Sequence, residues 1–361
     1  MKKSSKKERH PLGGVILAGL LIPQMERMWK KDQGRRNTLT FLQNLPDPLY
    51  ALEEGGEEKV ISGYVLSPVD GLPLKFRLYE PERAKGIVHI IHGAQEYSIF
   101  YHEFALWLRD HGYLVLTSDN RGHGDSVDRE NPRGHISSLD DVVTDHMAMT
   151  LWMKKQYPHL KYHLFGHSFG SLIARTYLQQ YDELIDSLIL TGTVNYRAMA
   201  KLGIFVGNIE GFYGGLKGRG PFVRLMDGAT KADPKKLSGN EKFLRDMARD
   251  PKVIENYPAS GALAIWESVA RLKNGRNYQR RNPGLPILSL TGSLDPVAGY
   301  KMGTRDTEKT FLKLGYWNYA SVVYEGLYHD LIHEEKHGKM VHWDILNFLD
   351  TAALEAFPTE I

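Results

Sequence analysis

The sequence predicts an α/β protein whose β-sheet is mostly parallel and carries helices on both faces. From residue 86 onward, short β-branched runs alternate with segments of helical periodicity. Such alternation implies βαβ crossovers, and these place helices on both sides of a parallel sheet. Hydrophobic residues make up 42% of the 361 residues and charged residues 25%, which is typical of a soluble globular protein.

The predicted elements follow one another in a regular order. "KVISGYVLSP" and "PLKFRLYEP" alternate apolar and polar residues around "VDGLP", which predicts an antiparallel hairpin. Three strand and helix pairs follow it: "GIVHIIHG" and "YHEFALWLRDHG", then "YLVLTSDNRGHG" and "SLDDVVTDHMAMTLWMKKQYP", then "YHLFGHS" and "FGSLIARTYLQQY". Three more strands ("IDSLILTGT", "PILSLTGS", "SVVYEGLYH") and a closing helix ("MVHWDILNFLDTAAL") complete the order. Because parallel sheets carry functional loops at the carboxyl ends of their strands, we expect the site there.

The chain divides into four segments. Residues 1–58 are an N-terminal extension, 59–194 the first part of the core, 195–284 an insertion, and 285–361 the second part of the core. The insertion follows the sixth predicted strand and is far longer than one crossover helix requires. It is rich in glycine and aromatic residues at first, then helical and charged. An insertion over the carboxyl edge of the sheet would form a cap on the active site.

The N-terminal extension leaves two alternatives open. "MKKSSKKERH" precedes "PLGGVILAGLLIP", an apolar run too short to span a bilayer, and no small-x-small cleavage site follows. One alternative is a helix that packs on the body or lies on a membrane surface, with Met25, Met28 and Trp29 among cations. The other is an uncleaved anchor or export signal. The expected location is cytoplasmic, with peripheral membrane contact through this segment and the cap, and with export or anchoring as the alternative.

Composition excludes several kinds of chemistry and partner. The chain has no cysteine, which excludes disulfides, thiolate metal sites and a cysteine nucleophile. The formal charge of +3 is small and comes partly from the basic N-terminus, so no clustered basic face for nucleic acid is indicated. We expect no cofactor, no metal and no nucleic-acid partner.

The segment "LFGHSFGS" contains a G-x-S-x-G pattern centred on Ser168. It follows a predicted strand and opens a predicted helix, which is the context of a nucleophile elbow. Gly166 and Gly170, two residues before and after the serine, allow a strained turn that lifts its hydroxyl clear of the backbone. The helix that begins at Phe169 directs its amide groups at the same point. The alternative is a glycine-flanked helix cap.

A serine nucleophile needs a base, and the base needs an orienting carboxylate. Asp295 and His329 each come just after a predicted strand, in the order serine, acid, histidine that a doubly wound hydrolase sheet uses. Asp119 and Asp330 are competing acids. Asp119 is expected to brace a glycine-rich turn, and Asp330 adjoins the histidine in sequence, so its side chain should point away from the ring.

A serine hydrolase also needs two amide donors for the oxyanion. One is expected at Phe169, which follows the nucleophile. The other is expected in "HGAQEYS", where Gly93 permits a tight turn and Ala94 is the predicted donor. His92 and Glu96 are expected to shape this loop.

The motifs together resemble those of the α/β-hydrolase superfamily, and specifically its monoacylglycerol lipase and lysophospholipase branch. They run in family order across residues 60–350: "HGAQEYS", "DNRGHGDS", "GHSFGS", "GSLDPV" and "YHDLIHE". The resemblance implies a capped serine hydrolase acting on single-chain acyl esters of glycerol or glycerophospholipids. It makes Ser168 the nucleophile, Asp295 the acid, His329 the base, and Ala94 and Phe169 the oxyanion donors.

Two residues depart from the family's pattern. Tyr97 stands where the family usually has histidine, and Gln95 replaces a commonly small residue. Both border the alcohol side of the expected site, and with His167 they are the expected substrate-side positions.

Other functions remain open at this stage. The same fold and triad serve proline iminopeptidases and acyltransferases, so amide substrates or acceptors other than water are alternatives. A non-catalytic relative that binds lipid is another. The string "HEEKH" (His333 to His337) also matches the H-E-x-x-H zinc signature, which needs both histidines on one face of a helix. Glu335 and Lys336 inside it favour a solvated helix instead.

Overall fold

The computed structural model describes residues 18–29, 50–53, 60–230, 233, 236–335, 338–355 and 357. The strands are β1 (Tyr50–Glu53), β2 (Val60–Leu66), β3 (Pro73–Tyr79), β4 (Gly86–Ile91), β5 (Tyr113–Ser118), β6 (Lys161–His167), β7 (Ser187–Thr191), β8 (Ile287–Gly292) and β9 (Tyr319–Tyr324). The helices are α1 (18–29), α2 (His102–Asp110), α3 (Leu139–Gln156), α4 (Phe169–Tyr181), α5 (Ala200–Gly214), α6 (Pro221–Thr230), α7 (Glu241–Arg249), α8 (Ala259–Arg271), α9 (Tyr300–Leu314) and α10 (Gly338–Thr351).

The strands form one sheet in the order β1-β2-β3-β5-β4-β6-β7-β8-β9. Strands β4 to β9 pair in parallel, whereas the pairs β1–β2, β2–β3 and β3–β5 are antiparallel. The predicted hairpin and the predicted mostly parallel α/β fold are therefore confirmed.

One strand was absent from the sequence prediction. β1 lies within residues 1–58 and pairs with β2, from Tyr50 opposite Val65 to Glu53 opposite Ser62. Four residues are too few to show an alternating pattern, so sequence periodicity does not reveal this edge strand. Because of β1, the long insertion follows the seventh strand, where the sequence prediction had it follow the sixth.

The sheet separates two apolar cores. Every residue of β4, β5, β7 and β8 is buried. Side chains alternate across the sheet: Leu164 and Leu188 belong to the core beneath α3 and α4, whereas Phe165 and Ile189 belong to the core beneath α2 and α10. This period of two is the signature of strands covered on both faces.

Helices α5 to α8 fall between β7 and β8. α5 packs on α8 through glycines: a Cβ on Gly203 would lie 2.9 Å from Trp266, and one on Gly207 would lie 2.9 Å from Leu263. The insertion also contacts loops at the carboxyl edge of the sheet, since the amide of Ile254 donates to the carbonyl of Gln95 over 2.9 Å. That residues 195–284 cap an active site stays a prediction.

Among the described parts of the chain, no helix has both the length and the apolar character needed to pass through a bilayer.

The junction between β6 and α4 has no room for side chains at its two glycines. A Cβ on Gly170 would overlap the backbone carbonyl oxygen of Ile91, and one on Gly166 would lie 2.5 Å from the carbonyl oxygen of Gly170. Because backbone atoms form these walls, a rotamer change cannot relieve the overlap. The first turn of α4 therefore sits directly against the end of β4.

We predict that Gly170→Ala lowers the free energy of unfolding by about 2–3 kcal/mol, because overpacking against backbone outweighs the better helix propensity of alanine. Urea unfolding followed by circular dichroism measures it. Gly214→Ala is the matched control, since a Cβ there meets nothing within 4 Å. The control should unfold at the urea concentration of the unsubstituted protein or slightly above it. Equal midpoints for both variants would contradict the close packing at Gly170.

Candidate active site

Ser168 occupies a strained turn between β6 and α4. Its φ is 51° and its ψ is −116°, an unusual conformation for a residue with a side chain, which costs about 1–3 kcal/mol. The amide of Ser168 donates to the carbonyl of Thr191 over 3.0 Å, which ties the turn to the end of β7. Ser168 is only partly buried, whereas its neighbours His167 and Phe169 are buried. The strained turn therefore leaves the serine accessible at the carboxyl edge of the sheet.

Asp295 and His329 form a buried hydrogen-bonded pair. Nδ1–H of His329 donates to Oδ2 of Asp295 over 2.8 Å. The other carboxylate oxygen, Oδ1, accepts from the amides of Val297 (2.7 Å) and Ala298 (3.0 Å). Both carboxylate oxygens are thus used, so the position of the Asp295 carboxylate is fixed by three donors.

The charges of this pair shift both pKa values. Burial lowers the pKa of His329, but the charge and hydrogen bond of Asp295 raise it, and the net result lies above the ordinary histidine value. Burial raises the pKa of Asp295, yet its partner His329 and the two amides bring it below the ordinary aspartate value. An ionised carboxylate therefore stabilises the protonated form of the imidazole beside it.

The second nitrogen of His329 has a different environment. Nε2 is buried and has no hydrogen-bond partner among the described residues. Because Nδ1 carries the proton, Nε2 of the neutral ring presents a lone pair. The glycine after β7, Gly192, makes room for the ring: a Cβ there would lie 2.7 Å from Cε1 of His329.

The competing acids are occupied elsewhere. Asp119 accepts from the amides of Ser98 (2.9 Å) and Asp125 (2.8 Å), so it braces two loops against each other. Asp330 accepts from Nδ1 of His333 over 2.8 Å. Asp295 is therefore the carboxylate that the structure brings into hydrogen-bond contact with His329.

The loop that follows β4 lies against the serine. A Cβ on Gly93 would be 3.1 Å from Cβ of Ser168. The amide of Gly93 donates to Oε1 of Glu96 over 2.5 Å, and the amide of Gln95 donates to the hydroxyl of Tyr257 over 3.0 Å. Between them, the amide of Ala94 has no hydrogen-bond partner among the described residues. Of three consecutive amides, only the middle one is left to bind a ligand.

His92 holds the peptide that joins Gly93 to Ala94. Its Nδ1–H donates to the carbonyl of Gly93 over 2.8 Å, and its Nε2 accepts from the amide of Asn120 over 2.9 Å. These two bonds fix one neutral tautomer, and burial lowers the pKa of His92 to about 3, so the ring stays neutral. In a trans peptide the carbonyl and the amide hydrogen point in opposite directions. Fixing the Gly93 carbonyl therefore fixes the direction of the Ala94 N–H.

Glu96 is buried at the base of this loop. Its carboxylate accepts from the hydroxyl of Tyr101 over 2.7 Å as well as from the amide of Gly93. Burial raises its pKa to about 7, although the hydrogen bond from Tyr101 opposes the shift. Its hydrogen bonds assign it to holding the loop.

The three expected substrate-side residues lie in different surroundings. Gln95 has a φ of 69° and is bound to the insertion, because its Nε2 donates to the carbonyl of Glu255 over 3.3 Å. The hydroxyl of Tyr97 donates to Oδ2 of Asp250 over 2.8 Å. His167 is buried, with its ring 5.0 Å from that of His329. Gln95 and Tyr97 therefore connect the loop after β4 to residues 250–257 of the insertion.

The segment containing "HEEKH" does not form the helix that a zinc signature needs. Residues 329–335 are not helical, α10 begins at Gly338, and His337 lies outside the described residues. His333 uses both ring nitrogens, since Nδ1 bonds Asp330 and Nε2 donates to the carbonyl of Phe100 over 2.6 Å. Burial lowers the pKa of His333, but the charge and hydrogen bond of Asp330 outweigh burial, and the net pKa is raised to about 9. Within the described ranges, no group of three potential ligands is placed to hold a metal ion.

Two residues of the site had not been recognised from the sequence. Gly192 has a φ of 54° and contacts the ring of His329, and the glycine in "LILTGT" directly after a strand was the available signal. Tyr257 binds Gln95 and also contacts Nε2 of His123 over 2.7 Å. It is 162 residues from Gln95 in the chain, so nothing local in the sequence indicates the contact.

A model of one protein family matches most of the chain. The family is Hydrolase_4, described as serine aminopeptidase, S33, and the match covers residues 82–336. Among curated proteins, monoglyceride lipase of Mus musculus is 26% identical over 280 residues, which is 74% of this chain and 82% of that protein. A probable lysophospholipase L2 of Haemophilus influenzae is 30% identical over 128 residues, 35% of this chain and 41% of that protein.

Solved structures share the fold. A thermostable carboxyl esterase from Bacillus coagulans superimposes with a TM-score of 0.70 at 21% identity, covering 84% of this chain and 97% of the esterase. Monoacylglycerol lipase of Paleococcus ferrophilus superimposes with a TM-score of 0.60 at 20% identity, covering 78% of this chain and 99% of the lipase.

Proposed function

Because the chain belongs to the Hydrolase_4 family and has the α/β-hydrolase fold, we propose that it is a serine hydrolase that cleaves single-chain acyl esters, as monoacylglycerol lipases and lysophospholipases do. The observation that carries the proposal is the buried Asp295–His329 pair. Nε2 of His329 has no hydrogen-bond partner among the described residues, Ser168 included, so it is available as a base. The names of the relatives support an ester substrate, and the geometry of the Asp295–His329 pair supports the catalytic assignment.

Acyl transfer takes place in two halves in the proposed mechanism. Nε2 of His329 accepts the hydroxyl proton of Ser168 while Oγ attacks the ester carbonyl carbon. The imidazolium that forms is stabilised by Asp295, which stays ionised. His329 then gives the proton to the departing alcohol oxygen, which leaves an acyl-serine. Water, deprotonated by the same nitrogen, attacks this ester and releases the fatty acid with regeneration of Ser168.

The negative charge of each tetrahedral intermediate needs two preorganised donors. We assign the amides of Ala94 and Phe169 to this role. Phe169 is the first residue of α4, where amides are not satisfied within the helix. The amide of Ala94 is supported by its neighbours, because Gly93 and Gln95 direct their own amides to Glu96 and Tyr257.

Ester substrates are favoured over the amides that an aminopeptidase cleaves. An aminopeptidase needs a carboxylate that can hold the ammonium group of its substrate. Glu96, the acid on the loop next to Ser168, already accepts from Gly93 and Tyr101 and has a pKa raised to about 7. Asp250 on the facing segment accepts from Tyr97. Single-chain esters also partition into membranes, so the proposal includes peripheral contact with a membrane.

We predict that the protein releases fatty acid from a medium-chain monoacylglycerol and that Ser168→Ala lowers kcat at least about 10⁴-fold, because the nucleophile is lost. Titration of released acid measures it, with and without a chelator, and an aminoacyl anilide serves as the amide substrate. Ser187→Ala is the matched control, a buried serine on β7 bonded to His163.

Activity that resists the chelator, persists in the control and disappears in Ser168→Ala supports the proposal. Activity retained in Ser168→Ala but lost to the chelator would contradict it. Faster cleavage of the anilide than of the ester would show that the protein is a peptidase and would contradict the proposed esterase activity.

We predict that His92→Ala lowers kcat about 10–100-fold with KM changed less than about threefold, because the Ala94 amide loses its fixed direction and stabilises the transition state less well. Steady-state hydrolysis of a soluble short-chain ester measures both constants. His163→Ala is the matched control, because it also removes a buried neutral histidine with one side-chain hydrogen bond. Equal kcat values for the two variants would show that His92 does not position the oxyanion donor.

A further inference from the structure

Helix α1 packs on the insertion through its polar side chains. Nε2 of Gln24 donates to the carbonyl of Phe205 over 3.1 Å, and Oε1 of Gln24 accepts from Nδ2 of Asn208 over 2.6 Å. Nε of Arg27 donates to Oε1 of Glu267, a buried residue of α8, over 2.8 Å. These contacts join α1 to α5 and α8, so α1 has a defined polar interface with the rest of the protein.

The opposite side of α1 is apolar and faces solvent. Met25 is 67% exposed, Met28 is 70% exposed and Trp29 is 62% exposed, and Leu21 and Ile22 are also exposed. Positions 21, 25 and 28 lie on one face of a helix, as do 22 and 29 beside them. A surface helix of a globular protein normally buries its apolar stripe and exposes its polar one. In α1, Gln24 and Arg27 bond the insertion while this apolar stripe faces solvent.

Helix α5, next to α1, also exposes large apolar side chains. Gly203 and Gly207 face α8, and α5 exposes four large apolar side chains: Leu202, Phe205, Phe212 and Tyr213. The two helices are neighbours, because Gln24 bonds Phe205 and the hydroxyl of Tyr213 donates to the carbonyl of Gly19 over 3.1 Å. We call these exposed residues of α1 and α5 the apolar platform: Leu21, Ile22, Met25, Met28, Trp29, Leu202, Phe205, Phe212 and Tyr213.

Cations flank α1 on both sides in the sequence. Residues 1–10 contain five lysines and arginines and one acid, and residues 30–36 contain four lysines and arginines and one acid. An exposed apolar helix face between two cationic segments is the chemistry of a surface that enters the headgroup region of an anionic membrane. Several large apolar side chains exposed on neighbouring helices usually mark a binding surface.

We propose that the apolar platform docks this protein on anionic lipid bilayers. The polar side chains of α1 bind the insertion, and its apolar face enters the lipid. The inference rests on the proposed function in one respect: a lipid-ester substrate, which lies in membranes, gives the protein a reason to bind them. Its binding geometry stands on α1 and α5 alone. Both helices belong to one bonded unit, so docking places the insertion at the membrane.

Vesicle binding of the full chain tests the proposal. The protein is sedimented with vesicles of phosphatidylcholine and phosphatidylglycerol, and with vesicles of phosphatidylcholine alone. We expect stronger binding to the anionic vesicles, and the double variant M25E/M28E should bind them at least about tenfold more weakly, because each glutamate replaces an apolar contact and adds a repelled charge. The matched control is M302E/M340E, which changes two exposed methionines on α9 and α10, and it should bind like the unsubstituted protein.

The outcomes distinguish membrane docking through the platform from dimerisation and from no binding. Unchanged binding by M25E/M28E, or no binding of the unsubstituted protein to either vesicle, would overturn the proposal. So would an unsubstituted protein that sediments as a dimer without vesicles and becomes monomeric in M25E/M28E, because the platform would then join two copies. Circular dichroism and hydrolysis of a soluble short-chain ester show that M25E/M28E is folded. Vesicle binding without hydrolysis of any ester would contradict the proposed function but support the platform. Ester hydrolysis without vesicle binding would contradict the platform alone.

Discussion

The turn at Ser168 is the constraint on which the rest of the site depends. A residue with a side chain is held at a φ of 51°, and it stays there because β6 and α4 are packed around it at van der Waals limits. Gly166 and Gly170 allow this, since Cβ atoms at either position would meet backbone carbonyl oxygens. The same packing brings the end of β4 against α4, so the loop carrying Ala94 lies beside the serine. The packing of β4, β6 and α4 thus maintains the strained conformation of Ser168.

His329 and His333, four residues apart, each bond an aspartate through Nδ1, and the surroundings of Nε2 distinguish them. His333 bonds Asp330 with Nδ1 and the carbonyl of Phe100 with Nε2, so it is a half-buried cation that joins loops, and its pKa is raised to about 9. His329 bonds Asp295 with Nδ1 and leaves Nε2 unpartnered within the described residues. A base needs a vacant lone pair, and only the His329 pair offers one. The zinc-like string "HEEKH" therefore begins at a structural cation four residues beyond the proposed base.

Sequence was sufficient where the signal is local and insufficient where it depends on distant packing. Ser168, Asp295 and His329 each follow an apolar strand, and parallel strands bring such positions to one edge of a sheet, so the sequence predicts that they lie at the same edge. The structure shows the hydrogen bond between Asp295 and His329, and the role of Ser168 stays a prediction. β1 is too short to show a pattern. The contact of Tyr257 with Gln95 links two segments whose relative placement has no local code. A helix in the N-terminal extension was one of the two alternatives from the sequence, but which of its faces points inward depends on Asn208 and Glu267, far along the chain.

The most direct test of the central claim is the reaction of a fluorophosphonate with the protein as a function of pH, in the unsubstituted chain and in Asp295→Asn. We expect mass spectrometry to find a single label on Ser168, with a rate that falls as pH decreases through a His329 pKa above the ordinary value near 6.5. Asp295→Asn should slow labelling about 10³–10⁴-fold and move the acid limb of the profile to lower pH, since the carboxylate that raises this pKa is gone. A label on another residue, or an Asp295→Asn profile that overlays that of the unsubstituted chain, would contradict the assignment of Ser168, His329 and Asp295 as nucleophile, base and acid.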